Sequence, residues 1–380
     1  MSYGDPVVRT PHLDRLAEQG VRFKRCYASN PVCSPSRAIF QTGRYAHQTG
    51  LIQNNLYLKE EERCFAEIFS ENGYATGYIG KWHLDGSQKP GFVTPGRRQG
   101  WQYFEGFNRG TIIRKVPSTL SNYGQLISSQ KFESYYQTDL ALKYMESQKD
   151  NHFLLFVSYG PPHTPYKPPP EFNHYCQVDI EWHPNVPEEL RGTPRLIREI
   201  CGYYGLCETV DQQVERLLAY LDKSGLMDNI IVFFTADHGD CHGSHGLYRK
   251  GHPEEEFLGI PLIIRHPPSI SKGVTSETLV STVDFPCILL SMCGLKIPEM
   301  MVGRDFSWST DGKSDQTSSI YTEGRMSQLK PLKNPKSLFR AKYGAWRSVI
   351  DSEYKLVVDY TGKVQRLSDL KNDPFELRVC

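Results

Sequence analysis

Tyr74-Ala-Thr-Gly-Tyr-Ile79 runs directly into Gly80-Lys81-Trp82-His83-Leu84, an apolar strand ending in a loop that carries two titratable groups. The same arrangement returns twice. Phe153-Leu-Leu-Phe-Val157 precedes Gly160-Pro-Pro-His163-Thr-Pro-Tyr166, and Asn229-Ile-Ile-Val-Phe-Phe-Thr235 precedes Ala236-Asp237-His238-Gly239-Asp240. Short unbroken apolar runs of this kind are strands buried on both faces. Helical patterns separate them: 10–20, with Pro11 in its first turn and Gly20 as its stop; 60–71, closed by Asn72-Gly73; 132–147; and 196–223, where Val210, Val214, Leu217, Leu218 and Leu221 share one face. Alternating strands and helices predict an α/β/α sandwich around a large, mainly parallel or mixed sheet, with its chemistry in loops beyond the strand C-termini.

From about residue 307 the pattern changes. The stretches 318–322, 344–350, 354–360 and 364–367 are short β-type runs, with Asp351-Ser352 and Thr361-Gly362 as turns. They predict a small antiparallel unit at 307–380 following a catalytic α/β unit at 1–306. Residues 191–195 and 330–336 read as charged surface loops.

Composition excludes several function classes. Lysine plus arginine (44) nearly equals aspartate plus glutamate (43) among 380 residues, so no overall field points to nucleic acid or to an anionic membrane. No apolar run approaches the roughly 20 residues of a membrane helix. Ten cysteines show no Cys-x-x-Cys metal spacing, and there is neither an Asn-x-Ser/Thr sequon nor a secretory leader at Met1. The chain as given therefore reads as cytoplasmic, or as periplasmic or secreted if a leader has been lost.

The most specific segment is Asn30-Pro-Val-Cys33-Ser-Pro-Ser-Arg37. Ser34 is a candidate N-cap and Pro35 suits the first helical position, which would place Cys33 just ahead of a helix N-terminus that favours an oxyanion. Arg37, one turn on, offers a planar fork of donors for sulfate or phosphate. Lys81 is a point charge suited to a sulfate oxygen, and His83 can exchange protons near neutral pH. Three prolines stiffen the loop that presents His163. Asp237, at a strand end before glycine, is a common oxygen ligand for a hard cation.

Taken together, these blocks resemble the type I sulfatases of the alkaline phosphatase superfamily, in the branch with Asp-His-Gly at the metal. The resemblance covers nearly the whole chain. It implies that Cys33 is oxidised to formylglycine by a formylglycine-generating enzyme, and that a divalent cation, Ca²⁺ first and Mg²⁺, Mn²⁺ or Zn²⁺ next, is held by residue 33, Asp237 and His238. It further implies that Lys81, His163 and Lys250 bind the substrate sulfate, with His245 added to that set, and that His83 is the base collapsing the covalent intermediate. Cys33, Arg37, Lys81, His83, His163 and Lys250 form the implied catalytic group. The expected reaction is hydrolysis of a sulfate monoester on a small molecule or carbohydrate. The alternatives are a phosphonate monoester hydrolase or phosphodiesterase of the same superfamily, and a catalytically impaired protein.

The impaired alternative follows from a departure. Sulfatases open with a strand ending in Asp-Asp that gives two ligands of the cation, and Met1-Ser-Tyr-Gly-Asp5 aligns after that strand. The chain as given is expected to bind Ca²⁺ weakly, unless Asp5, Asp85 or Asp240 substitutes.

Overall fold

The computed structural model describes residues 3–110, 117–120, 126–128, 131–306, 319–328 and 343–378. The chain begins with α1 (Pro11–Glu18), β1 (Val21–Tyr27), α2 (Cys33–Thr42), α3 (Ala46–Thr49), α4 (Phe65–Glu71) and β2 (Ala75–Lys81). It continues through β3 (Tyr103–Phe107), β4 (Pro117–Leu120), β5 (Leu126–Ser128), α5 (Glu133–Gln148), β6 (Phe153–Ser158) and α6 (Pro194–Lys223). Then come β7 (Val232–Thr235), α7 (Glu255–Leu258), β8 (Leu262–Arg265), β9 (Val274–Ser281) and α8 (Phe285–Met292). The last strands are β10 (Ile320–Gly324), β11 (Trp346–Ile350), β12 (Tyr354–Asp359) and β13 (Val364–Asp369).

Boundaries shift where caps and termini decide them. The helix expected over 60–71 starts only at Phe65, because the Glu67 carboxylate accepts the Cys64 backbone N–H at 2.7 Å and fixes the first turn there. Arg195, read as loop, lies in the first turn of α6 and meets Glu199 at 3.0 Å. The loop expected at 330–336 lies outside the described residues.

The expected α/β architecture is present, and its strands form two sheets. One runs β5-β4-β3-β2-β6, with β2 parallel to both β3 and β6; the other runs β7-β8-β1-β9, with β1 parallel to β9 and antiparallel to β8. Helix α6 covers one side through Val210, Val214 and Leu218, packed with Leu16 and Phe234. On the other side Phe285 and Ile288 of α8 pack with Phe40 and Phe233. Strands β10 to β13 form a third, wholly antiparallel sheet.

Between the first two sheets lies a slot. Strand β6 pairs only with β2 and β7 only with β8 among the described residues. A cavity of about 740 Å³ is lined by both strands, by Val214 and Leu218 of α6 and by Phe285 and Leu289 of α8. All four residues of β7 and the first five of β6 are consequently only half-buried. Apolar strands with one unpaired edge would ordinarily be covered.

Candidate active site

The loops singled out in the sequence converge at the ends of β2, β6 and β7. Arg37 ties the three together. Its Nη1 donates to the Lys81 carbonyl and to Ser158 Oγ, both at 2.7 Å, and its Nε meets Asp237 Oδ2 at 3.1 Å. The guanidinium expected to clasp a substrate oxyanion thus directs Nε and Nη1 at the protein. Tyr78 Oη and Ser158 Oγ also donate to the Lys81 carbonyl, fixing the end of β2.

Cys33 is the first residue of α2, with Val32 as the capping position and no side-chain cap. The expected Ser34 cap is absent: Ser34 Oγ is buried without a partner, and the Ser34 backbone N–H goes instead to Asn54 Oδ1 at 3.0 Å. Asn54 carried no sequence signal beyond its place in a polar loop. Cys33 is 1% exposed. Its Sγ is 2.7 Å from Lys250 Nζ, 3.5 Å from Lys81 Nζ and 3.4 Å from His238 Nε2. Burial pushes the thiol up, but Lys250, Lys81 and His238 outweigh it and hold it well below the ordinary value.

The histidines are set in distinct states. His163 and His238 each place Nδ1 against a backbone carbonyl, of Thr164 at 2.7 Å and of Gly239 at 2.8 Å. Each therefore donates from Nδ1 and turns Nε2 inward, where both lie within 3.2 Å of Lys250 Nζ. His83 sits at φ +62° with neither ring nitrogen hydrogen-bonded. Burial holds its pKa below the usual value, so it is neutral and able to accept a proton. Lys81 is lowered by burial, which the Cys33 thiolate partly offsets.

Three fixed cations, Arg37, Lys81 and Lys250, thus surround the thiol, with Asp237 the carboxylate among them. Burial would raise Asp237, yet His238 and Arg37 hold it far below the usual carboxylate range. This leaves an excess of positive charge in a buried site, which favours an anion.

A divalent cation finds part of a shell here. Ligand atoms of Cys33, Asp237 and His238 lie within 4.8 Å of one another, and His238 Nε2 offers a lone pair because Nδ1 is engaged. These three fit a cation that draws its other ligands from elsewhere. Two of the substitutes considered are committed to other partners, Asp5 to the backbone N–H groups of Val7 and Val8 and to Tyr204, and Asp85 to Arg97; Asp240 accepts from Tyr166 through Oδ2, while its Oδ1 is buried without a hydrogen-bond partner. His245 is not brought to this cluster. Its Nε2 lies 3.0 Å from Asn185 Nδ2 and 3.7 Å from Glu256.

Comparison with known proteins gives the family. The sulfatase family profile matches residues 1–295, and the profile of the N-sulphoglucosamine sulphohydrolase C-terminal region matches 243–380. The chain is 35% identical over 311 residues to an ulvan-active sulfatase of Formosa agariphila, covering 80% of this chain and 60% of that protein. It is 25% identical over 382 residues to an N-acetylglucosamine-6-O-sulfatase of Bacteroides thetaiotaomicron, covering 79% and 66%. The solved yidJ structure from Bacteroides fragilis superposes with a TM-score of 0.88 at 28% identity, covering all of this chain and 87% of that one. The chain spans about three-fifths to two-thirds of the length of these two curated relatives. With a family profile over most of its length and this cluster at its strand ends, the chain belongs to the sulfatase family.

Proposed function

We propose that this protein hydrolyses sulfate monoesters, with residue 33 matured to formylglycine as the nucleophile. The observation that carries the reading is the Cys33 side chain held between Lys250, Lys81 and His238. Hydrated formylglycine supplies one hydroxyl to attack sulfur and a second whose deprotonation expels the sulfate and regenerates the aldehyde. Lys81 and Lys250 bind the sulfate oxygens and stabilise the charge spread over them in the transition state. As the S–O bond to the leaving alcohol breaks, the His163–Lys250 pair, with Lys250 Nζ 3.2 Å from His163 Nε2, delivers a proton to that oxygen. His83, neutral and buried, then takes the proton of the remaining hydroxyl. Arg37 keeps Asp237 and the Lys81 strand end in place throughout.

Asp237, His238 and residue 33 would hold the cation, Ca²⁺ by the family resemblance, while the His238 imidazole itself suits Mn²⁺ or Zn²⁺ better; the cation would add positive charge beside the sulfate. The edges of β6 and β7 left unpaired among the described residues, together with the partial shell at Asp237, support one further strand in the slot, ending in the Asp-Asp pair that the family resemblance implies. On this reading 1–306 is the catalytic unit and 307–380 a small unit packed on it. The sugar-directed names of the two curated relatives support a sulfated carbohydrate as substrate.

Turnover of an aryl sulfate, set against an aryl phosphonate, by protein co-produced with a formylglycine-generating enzyme tests the reading. Sulfate turnover should dominate, and Cys33→Ala should abolish it with the fold intact. Retained activity in that variant would overturn the assignment.

A further inference from the structure

Gly251 follows Lys250 directly and adopts φ +97°, a left-handed conformation that suits glycine. Its carbonyl oxygen accepts two hydrogen bonds, from Arg325 Nε at 3.1 Å and from Trp346 Nε1 at 3.3 Å. Both donors belong to the antiparallel sheet far along the chain: Trp346 opens β11 and Arg325 immediately follows β10. Each is itself held. Arg325 Nη1 donates to Gln328 Oε1 at 2.7 Å, and its Nη2 lies 3.1 Å from His252 Nε2. Trp346 is wholly buried and lies against Gly324, its register partner, where a Cβ would stand 2.4 Å from the indole. Gly251 also neighbours Val32, the residue before Cys33: its Cβ position is 3.6 Å from Val32 Cγ2 and 3.9 Å from Arg325 Nε.

A lysine side chain is long and flexible, so where its ammonium comes to rest depends on how firmly its backbone is anchored. Lys250 Nζ must reach Cys33 Sγ across 217 residues of sequence, and it does so at 2.7 Å. We propose that Arg325 and Trp346 clamp the Gly251 carbonyl and thereby set the Lys250 ammonium over residue 33, so that the C-terminal antiparallel sheet is a positioning part of the anion site. The clamp rests on the role given to Lys250 in the proposed function. Arg325 and Trp346 are positioning residues; neither is assigned a contact with substrate.

Two readouts separate the clamp from the hydrolase reading. The first uses protein made without maturation, in which Cys33 remains a thiol. Its affinity for inorganic sulfate, read by isothermal titration calorimetry, should fall about tenfold in Lys250→Ala, as one ammonium of the anion site is lost. Arg325→Ala should fall by a similar factor, Arg325→Lys should recover part of it, and Arg325→Ala added to Lys250→Ala should cause no further loss. Trp346→Phe, which keeps the ring packing and removes the N–H, serves as the second variant should Arg325→Ala fail to fold. The second readout uses matured protein, where Arg325→Ala should lower kcat on an aryl sulfate roughly tenfold while KM changes little. Wild-type sulfate affinity in both Arg325→Ala and Trp346→Phe would overturn the clamp, as would a full additional loss in the Lys250→Ala background. A loss coupled to Lys250 with no sulfate turnover in any protein would uphold the clamp and overturn the hydrolase reading instead.

Discussion

Two buried charge clusters in this molecule are built from the same residue types and do opposite things. Around Cys33, Arg37, Lys81 and Lys250 face Asp237, and positive charge is left over. Behind the antiparallel sheet, Lys355 Nζ lies 2.9 Å from Glu255 and 2.8 Å from Glu376, and Arg366 approaches Glu376 at 3.7 Å. That second cluster is balanced, two cations to two carboxylates, and Lys355 is fully buried in it. Burial would raise Glu376, but Lys355 and Arg366 hold it below the usual carboxylate range. The balanced cluster ties β12 and β13 to α7 and so holds the third sheet in place. The unbalanced cluster favours an anion. Buried charge becomes a binding site when it is left uncompensated.

The largest effect should come from breaking the balance. Lys355→Met leaves Glu255 and Glu376 without their shared cation and should cost about 3–5 kcal/mol in denaturant unfolding. A cost near zero would show that the carboxylates are satisfied in other ways and that the two clusters are alike. Next in size is the opposite manipulation. Lys81→Ala and Lys250→Ala should each lower kcat about 10²–10³-fold, the scale for one preorganised electrostatic group. Because each removes a charge that repels its neighbours, melting temperatures should not fall. Near-normal rates, or marked destabilisation, would place these lysines with the structural cluster.

The smallest effect concerns acid. Asp237 titrates below its ordinary value in the folded state, so its contribution to stability is complete above about pH 4 and is lost as pH falls towards the folded value. Asp237→Asn should flatten that acid limb in unfolding curves taken between neutral and strongly acidic pH. An unchanged limb would mean that Arg37 and His238 stabilise the carboxylate less than their geometry implies.

Much of this was legible beforehand. The strands ending at Lys81, before His163 and before Asp237 could be read from apolar runs closed by glycine and proline, and the four antiparallel strands from period-two runs between turns. Those signals act between residues a few positions apart, where backbone sterics and side-chain alternation decide the outcome. The helix after Cys33 was legible too, but its cap was not: Asn54 supplies the acceptor that Ser34 was expected to provide.

Local pattern in the chain was enough for the strand and helix types, the loops that bear the chemistry and the family. Tertiary structure alone decided that Arg37 Nε and Nη1 turn inward, that His245 joins Asn185 and Glu256, that Arg325 and Trp346 reach back to Gly251, and that β6 and β7 face each other across a slot. Each of these depends on which distant surfaces pack together. Local propensity carries no information about a contact across 217 residues; only the burial of the whole core fixes it.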